Sequence, residues 1–396
     1  MKTKDLWIFT PSVIFYFIVY ANASNIPILD DYDAVLKFVI NFSHASILDK
    51  CELLFSQHNE HRILHSRIIC ILYYWIAGAI NFRSLILIGA FQLIPVASVG
   101  VYFVKKTGVK HWQLMSFIWV LLVFDLSTYE SGSIAMYAIQ NYGILMLFFC
   151  SLYFFSKNGI GWYTGIVFQF LCIFSGGNGI LASFFIVLYV LRQNVIKKWG
   201  PIIVMTICAP LYFIDYVSGQ EKIIDMGKSI SYFIRMTGAH FSFYHSFISG
   251  IIILAAFFSL VPYKKVWNDE RLWSMVCIAG FVLSSMTTIA LIRGVTPDAQ
   301  FQTSRYLIYP QLLISITCLF FLMATRLWKH GLIFTCAMFV IIIFGYKTTY
   351  QFGKLGFERM NYRAQNILYY YPDPTAASLI LKHSCDDGIY CIDDNR

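Results

Sequence analysis

Long apolar runs separated by short polar segments dominate this chain. The first run extends from Leu6 to Tyr20 and follows Lys2 and Lys4. Ten further runs lie near residues 84–104, 112–128, 134–155, 161–176, 179–192, 200–217, 246–262, 272–292, 306–325 and 330–346. Such runs predict helices that cross the ~30 Å hydrocarbon core of a membrane. The pattern therefore predicts an all-α polytopic membrane protein with about eleven transmembrane helices.

Basic residues predict the orientation of these helices. They cluster in alternate loops, which the positive-inside rule places in the cytoplasm. The clusters are Lys105, Lys106 and Lys110, then Lys157, then Arg192, Lys197 and Lys198, then Lys264, Lys265 and Arg271, then Arg326 and Lys329. We therefore expect a cytoplasmic N-terminus and a C-terminal tail on the outer side. The same clusters explain the formal net charge of +9, which thus indicates membrane orientation rather than nucleic-acid binding.

The first run has two interpretations. Ala21, Asn22 and Ala23 follow it and match the cleavage site of a secretory signal. We favour a retained first helix, because a polytopic chain needs no separate signal. Either interpretation puts the residues that follow on the outer side.

The run from Ile63 to Asn81 does not fit the alternation of loops. If it crossed the membrane, the loop with Lys105 and Lys106 would lie outside. We therefore expect this run to lie along the interface or to re-enter the membrane. Its aromatic residues 73–75 suit a headgroup location.

The predicted spans divide the chain into two parts. Residues 1–347 form a polytopic domain, and residues 348–396 form an outer tail. Other outer segments are a large first loop over residues 22–67 and shorter stretches near 125–133, 175–178, 218–245 and 293–305.

Composition supports the membrane assignment and limits the other classes. Hydrophobic residues make up 58% of the chain and charged residues 13%, with a mean hydropathy of +0.63, which excludes a soluble globular protein. None of the ten cysteines has the spacing of a zinc site. Cys385 and Cys391 lie in the outer tail, where an oxidising compartment predicts that they form a disulfide.

Three aspartates open the polar part of the first outer loop. Asp30, Asp31 and Asp33 follow the first membrane run after nine residues, 21–29. A carboxylate whose pKa is tuned by its neighbours can take the proton from a sugar hydroxyl as that hydroxyl attacks an activated donor. The other interpretation is a solvated turn after a membrane helix, and the residues alone leave both open.

A second polar stretch, residues 57–67, continues the loop. If it were helical, one stripe would face a phosphate or a metal ion, with Glu60 pointing elsewhere. That stripe would consist of His58, His61, Arg62 and His65. Between His61 and His65 lie Arg, Ile and Leu without a glutamate base, so metalloprotease chemistry is not indicated and we predict no metal site.

Polar residues near other outer boundaries are further candidates. Arg293 and Arg305, with Tyr306, flank an outer loop at the depth of lipid phosphates, which arginine binds in a bidentate way. Snorkelling to the interface is the alternative for each arginine. Gln140 and Asn178 border apolar runs, and polar groups at membrane depth usually face a cavity or a partner helix.

The order of these features resembles the GT-C class of polyprenyl-phosphate-sugar glycosyltransferases. An outward-crossing helix precedes an acidic outer loop with an interfacial helix, many spans and an outer tail. The stretches that resemble members of that class are Asp30–Asp33, Gln57–Arg62 and Ser304–Tyr306. Within the class, the size and polarity are closest to the serotype-converting O-antigen glucosyltransferases often carried by phages.

The resemblance implies an inverting transfer at the periplasmic face of the bacterial inner membrane. A sugar, which is glucose in that subfamily, would pass from undecaprenyl phosphate to a hydroxyl of a lipid-linked O-antigen or a related glycan. Asp31, or its neighbour Asp30 or Asp33, would be the general base. Arg293 or Arg305 would neutralise the leaving phosphate, so that a divalent metal is optional.

The same resemblance suggests a set of substrate-binding residues. The acceptor or the phosphate would contact Glu60, His58, His61 and Arg62, and we add Arg67, Gln140, Asn178 and Tyr306 from their positions. The expected partners are the lipid-linked donor, the lipid-linked acceptor and membrane lipids, with no nucleic acid.

Two other functions compete with this one. An O-antigen polymerase is also polytopic, but its largest polar loop would be expected late in the chain. A transporter or lipid flippase would be expected to carry ionisable residues in mid-helix and broken helices in matched halves.

Overall fold

The structure is a computed structural model that describes residues 3–157, 159–192, 199–218, 224–240, 245–260, 269, 271–294, 303–324, 331–367 and 369–392. It is 79% helical. Within these ranges the strands form one two-stranded antiparallel hairpin. The predicted all-α class is therefore confirmed. The basic loop residues 197–198, 264–265, 326 and 329 lie outside the described residues.

The described helices are distributed over the whole chain. The first half of the chain contains α1 (Thr10–Asn22), α2 (Phe38–His44), α3 (Ile47–Phe55), α4 (Leu64–Ala77), α5 (Phe82–Phe91), α6 (Leu93–Lys106), α7 (Trp112–Val123), α8 (Ala135–Tyr137), α9 (Gly143–Phe155) and α10 (Ile160–Ile173). The second half contains α11 (Gly177–Arg192), α12 (Trp199–Tyr212), α13 (Met226–Gly238), α14 (Ser246–Leu260), α15 (Trp273–Arg293), α16 (Ile308–Ala324), α17 (Gly331–Asn366) and α18 (Pro374–Asp386).

Shorter elements complete the described fold. Strands β1 (Gln57–His58) and β2 (His61–Arg62) lie between α3 and α4. Two π-helical segments precede α2 and α9, at Tyr32–Lys37 and Ala138–Tyr142, and 3-10 turns occur at Thr3–Phe9, Leu126–Thr128 and Ser304–Tyr306.

Local sequence signals determine where several helices begin and end. The side chain of Asn81 accepts a hydrogen bond from the backbone N–H of Ser84 at 3.0 Å and so caps α5. Helix α4 stops at Gly78, whose φ of +77° is a left-handed conformation that glycine adopts at helix C-termini. Helix α18 starts with Pro374 behind the capping side chain of Asp373.

The described residues contain five helices that are long and apolar enough to cross a membrane. They are Asp5–Asn22, Phe82–Lys106, Ala135–Phe155, Trp273–Arg293 and Ser304–Met323. Shorter apolar helices coincide with further predicted runs at Trp112–Thr128, Ile160–Ile173, Gly177–Arg192, Trp199–Tyr212 and Ser246–Leu260. These findings fit a multi-pass membrane protein, and the number of eleven spans stays a prediction.

Helix α4 occupies most of the run that does not fit the loop alternation. Its 14 residues extend over about 21 Å at 1.5 Å per residue, which is less than the thickness of a hydrocarbon core. Its first turn is buried on all sides and includes His65 and Arg67, whereas Trp75 and Ile76 near its C-terminal end are exposed. Its interfacial or re-entrant position stays a prediction.

Helix α13 was not predicted, because the segment 218–245 was expected to be an outer loop. It packs against α14 at Gly250, where a Cβ atom would lie 1.8 Å from the carbonyl oxygen of Ile234. Only a glycine allows such a close approach of two helix backbones. This pairing brings Tyr232 of α13 into electrostatic contact with Arg293.

The C-terminal part of the chain is tied to the transmembrane part. Helix α17 runs through the predicted boundary at residues 347 and 348 without interruption. The Thr349 hydroxyl in this helix donates a hydrogen bond of 2.6 Å to the buried carboxylate of Asp125. A disulfide joins Cys385, in the last turn of α18, to Cys391 beyond it, which is the pairing that the sequence predicts.

The disulfide should contribute measurably to stability. We expect the double variant Cys385→Ser and Cys391→Ser to lose about 2 kcal/mol of unfolding free energy, because the bond restricts the unfolded chain. The midpoint of thermal unfolding of the purified protein in detergent should fall by about 2–4 °C. Cys51→Ser, which removes an exposed free thiol, is the control and should leave the midpoint unchanged. Equal midpoints for the double variant and the wild type would contradict this assignment.

Candidate functional site

A cavity of about 870 Å³ brings together residues that are far apart in the chain. Eight of the candidates from the sequence line it: Asp30, Glu60, His61, Gln140, Asn178, Arg293, Arg305 and Tyr306. They come from the first loop, the π-helical segment before α9, the start of α11, the end of α15 and the 3-10 turn before α16. The cavity is therefore the candidate functional site.

Asp30 is the member of the aspartate triplet that lines the cavity. Leu29 before it has a φ of +51°, a left-handed conformation that is strained for a leucine side chain. Asp30 interacts electrostatically with Arg305 and Tyr137 across the cavity. The fold thus presents a carboxylate to the cavity beside a strained backbone position.

Asp31, the first choice for the base, has a structural position instead. It is 1% exposed and does not line the cavity. Its two carboxylate oxygens accept hydrogen bonds from the backbone N–H of Met136 at 2.8 Å and of Ile28 at 3.2 Å. Burial raises the pKa of Asp31 to about 7, and the bonds from these two backbone groups oppose that rise. Asp31 therefore joins the first loop to the start of α8, and Asp30 is the aspartate of the triplet that faces the cavity.

Asp33 also points away from the cavity. Its carboxylate accepts a short hydrogen bond from the hydroxyl of Tyr371 and lies 3.9 Å from the ammonium group of Lys37. Asp33 thus contacts the C-terminal segment rather than the substrate space.

The stretch 57–62 is a β-hairpin, so the stripe of histidines and Arg62 that a helix over residues 57–67 would have formed is absent. Gln57 pairs with Arg62 and His58 with His61, and the turn contains Asn59 at a φ of +49°. Asparagine tolerates this left-handed conformation, which favours a tight turn over a helix. The turn directs Glu60 and His61 to the cavity.

Three hydrogen bonds hold this hairpin against the segment after α12. The Gln57 side chain donates to the Val217 carbonyl at 2.7 Å, and the Val217 N–H donates to the Gln57 side chain at 3.0 Å. The Tyr216 hydroxyl donates to the Glu60 carbonyl at 3.2 Å. The position of the Glu60 backbone is thus set by a part of the chain about 150 residues away.

Arg62 and Arg67 do not line the cavity, in contrast to the prediction. Arg62 donates to the backbone carbonyls of Tyr212 at 2.7 Å, of Phe55 and of Ile214. Arg67 donates to carbonyls at the end of α3, including that of Ser56 at 2.6 Å. Both guanidinium groups therefore satisfy carbonyls that would otherwise be left unpaired at helix ends.

The two histidines of the hairpin differ in position. His58 does not line the cavity, and its Nε2 lies 3.2 Å from the amide nitrogen of Asn59. The His61 ring lies against Gly177, where a Cβ atom would be 3.6 Å from Nδ1. Burial lowers the pKa of His61, Arg293 and other nearby cations lower it further, and Glu60 opposes them. His61 is therefore a neutral imidazole at pH 7.

Arg305 supplies positive charge to the cavity from between two aromatic rings. Its guanidinium carbon lies 4.2 Å from the centre of the Tyr137 ring and 5.1 Å from that of Tyr306. The backbone N–H of Arg305 donates to the Glu130 carboxylate at 3.3 Å. Burial raises the pKa of Glu130, and the neighbouring Arg305 opposes that rise. Tyr137 and Glu130 were not among the predicted site residues, because their relation to Arg305 depends on the fold.

Two backbone features contribute polar groups to the wall of the cavity. The π-helical segment Ala138–Tyr142 widens the helix locally and carries Gln140, and such segments are frequent at functional sites. Helix α11 starts at the cavity, with Gly176 at a φ of +155° and Asn178 donating to the Tyr309 hydroxyl at 3.1 Å. A helix N-terminus presents unpaired N–H groups and favours an anion.

The remaining wall is apolar and reaches the surface of the molecule. Ile180, Ile289 and Ile292 line the cavity, as do Phe213 and Val217, which are 55% and 73% exposed. The cavity thus combines carboxylates, guanidinium groups, amides and an apolar exit. This combination suits an amphiphilic anion that carries hydroxyl groups.

The geometry offers no separate metal cage within the described ranges. No group of three or more His, Cys, Asp or Glu side chains there has the arrangement of a metal site. The optional divalent metal stays a prediction, since two carboxylates of the cavity remain available as ligands.

Asp31 and Asp30 should differ in their contribution to stability. We expect Asp31→Asn to lower the thermal unfolding midpoint in detergent, because an amide nitrogen would face one of the two N–H donors and leave it unpaired. The expected loss is about 1–3 kcal/mol. Asp30→Asn should change the free energy of unfolding by no more than about 0.5 kcal/mol, so its midpoint should stay close to the wild-type value. Equal midpoints for the two variants would contradict the structural role of Asp31.

Comparisons with protein-family models, curated proteins and solved structures give no match to this chain. The resemblance to the GT-C class therefore rests on the sequence stretches quoted above. A shared fold alone would not establish function in any case. The function is accordingly argued from the chemistry of the cavity.

Proposed function

We propose that this protein is a membrane glycosyltransferase that uses a polyprenyl-phosphate sugar as its donor. The acceptor is a hydroxyl of a lipid-linked glycan, and O-antigen and glucose are the acceptor and sugar that the sequence resemblance favours. The reaction inverts the configuration of the anomeric carbon.

The observation that supports this proposal most directly is the division of charge within one cavity. Carboxylates of Asp30 and Glu60 come from the first loop, whereas Arg293 and Arg305 come from the end of α15 and from the 3-10 turn before α16. An acid–base step and the departure of a phosphate require these two kinds of group side by side. The apolar wall beside them suits the lipid chain of the donor.

In the proposed reaction Asp30 is the general base. Its carboxylate takes the proton of the acceptor hydroxyl as that oxygen forms a bond to the anomeric carbon. The bond between the anomeric carbon and the phosphate oxygen breaks, and polyprenyl phosphate leaves with the electron pair. Arg305, Arg293 and the N-terminus of α11 stabilise the negative charge that develops on the phosphate.

The other polar residues of the cavity have binding roles in this scheme. Gln140 and Asn178 provide amide groups that can donate to and accept from sugar hydroxyls. Glu60 orients the acceptor, and the neutral His61 accepts a hydrogen bond beside it. A divalent metal is optional, because the arginines can neutralise the leaving group.

The proposed location is the bacterial inner membrane, with the cavity on the periplasmic side. The N-terminus would be cytoplasmic, and the tail with its disulfide would be periplasmic, as the distribution of basic loops favours.

Cys51 allows a direct test of this orientation. Among the described residues it is the exposed free cysteine, whereas Cys70, Cys150, Cys172 and three others are buried. We expect a small membrane-impermeant maleimide to label the wild type in intact cells, because the first loop is external. Cys51→Ser should abolish most of this labelling. Labelling of Cys51 only after cell lysis would contradict the orientation.

The transfer itself can be measured in membranes with radiolabelled sugars. A panel of undecaprenyl-phosphate sugars is offered with lipopolysaccharide to the wild type and to Asp30→Asn, Glu60→Gln and Glu52→Gln. We expect Asp30→Asn to lower kcat at least about 100-fold, because it removes the base. Glu60→Gln should mainly raise KM for the acceptor. Glu52→Gln is the control, since Glu52 is exposed on α3 outside the cavity.

Two outcomes would contradict the proposed glycosyltransferase function. One is the absence of transfer from every donor by a folded wild type, which would point to a transporter or flippase. The other is transfer that is indifferent to Asp30→Asn and Glu60→Gln. Addition of repeated units instead of single sugars would favour the polymerase.

A further inference from the structure

The chain after α17 folds back onto the first outer loop. We call residues 369–392 the clasp. At its start, the backbone carbonyl of Tyr370 accepts a hydrogen bond of 2.9 Å from the N–H of Leu29. Leu29 is the strained residue directly before Asp30. The clasp is thus bonded to the backbone next to the carboxylate that lines the cavity.

The next residue of the clasp holds the other side of the acidic loop. The Tyr371 hydroxyl donates a short hydrogen bond to the Asp33 carboxylate. The Tyr371 ring also packs against the buried ring of Tyr32, with 5.1 Å between their centres. Asp30 therefore lies between two points of attachment to the clasp, at Leu29 and at Asp33.

The far end of the clasp is anchored independently. The Tyr390 hydroxyl donates to the carbonyl of Asn25 at 2.7 Å, and the carbonyl of Ile389 accepts from the N–H of Ile80 at 2.7 Å. The Cys385–Cys391 disulfide closes the turn that presents Ile389 and Tyr390. These bonds hold the clasp to both ends of the region between α1 and α5.

We propose that the clasp positions the Asp30 carboxylate and that Tyr371 is a positioning residue, which acts through Asp33. Leu29 in a left-handed conformation persists only where the surroundings determine it. The hydrogen bond from the Leu29 N–H to the Tyr370 carbonyl and the hydrogen bond from Tyr371 to Asp33 hold Leu29 in this conformation. The effect of this positioning on catalysis rests on the proposed glycosyl transfer. The positioning of the loop itself does not depend on that proposal.

The matched pair Tyr371→Phe and Tyr370→Phe tests this role. Tyr371→Phe removes the hydroxyl that binds Asp33 and keeps the ring. Tyr370→Phe removes a hydroxyl that accepts from Arg363 at 3.2 Å on the surface, and it keeps the backbone carbonyl that binds Leu29. Two measurements are made on the full chain in detergent: hydrogen exchange of peptides covering residues 28–37, and steady-state transfer kinetics.

We expect these amides to exchange about tenfold faster in Tyr371→Phe and at the wild-type rate in Tyr370→Phe. We also expect kcat to fall about tenfold in Tyr371→Phe with KM for the donor unchanged, because a displaced base affects the chemical step rather than donor binding. Asp33→Ala should have the same effects, and its combination with Tyr371→Phe should be no worse than either change alone.

Unchanged exchange in Tyr371→Phe would overturn the positioning role. Faster exchange with an unchanged kcat would overturn its catalytic meaning. The exchange measurement uses no substrate, so it decides the role of the clasp even if the wild type transfers no sugar. Absence of transfer would overturn the proposed function alone.

Discussion

The geometry of the cavity depends on the hydrogen bonds that the Arg62 guanidinium group donates to backbone carbonyls. This group is buried and donates to backbone carbonyls at the end of α3 and at the end of α12. A buried charge is costly unless its donors are all used, so these helix ends must stay where their carbonyls meet the guanidinium. The hairpin with Glu60 and His61 lies between them and is held over the cavity as a result.

The charges of the cavity are separated along the chain and joined in space. Asp30 and Glu60 belong to one outer loop, while Arg293 and Arg305 lie near the ends of two helices that follow much later. The Arg305 guanidinium group lies against the rings of Tyr137 and Tyr306 and interacts electrostatically with Glu130 and Asp30. The proposed transfer requires both kinds of charge, because a carboxylate accepts the proton of the acceptor hydroxyl and the arginines stabilise the leaving phosphate.

Left-handed backbone conformations lie next to both carboxylates of the cavity. Leu29 precedes Asp30 and Asn59 precedes Glu60, and each has a positive φ. Such conformations cost free energy and persist where neighbouring contacts determine them. At Leu29 the contact is the carbonyl of Tyr370, and beside Asn59 it is the pair of hydrogen bonds between Gln57 and Val217. The C-terminal segment and the residues after α12 are therefore parts of the site, although neither carries its charged groups.

The periodicity and composition of the sequence determined the helical class and the approximate helix positions, because apolar runs can satisfy their backbone groups in a membrane only as helices. The sequence also indicated the disulfide and eight of the residues that line the cavity, since polar and charged groups are rare at membrane depth. It did not determine which aspartate faces the cavity, because neighbouring positions of one acidic stretch have the same local chemistry. It did not determine that residues 57–62 form a hairpin, because the hydrogen bonds to Val217 and the carbonyls that bind Arg62 come from distant residues. Only the tertiary structure decided these points, since burial and hydrogen-bond partners are properties of the packed chain.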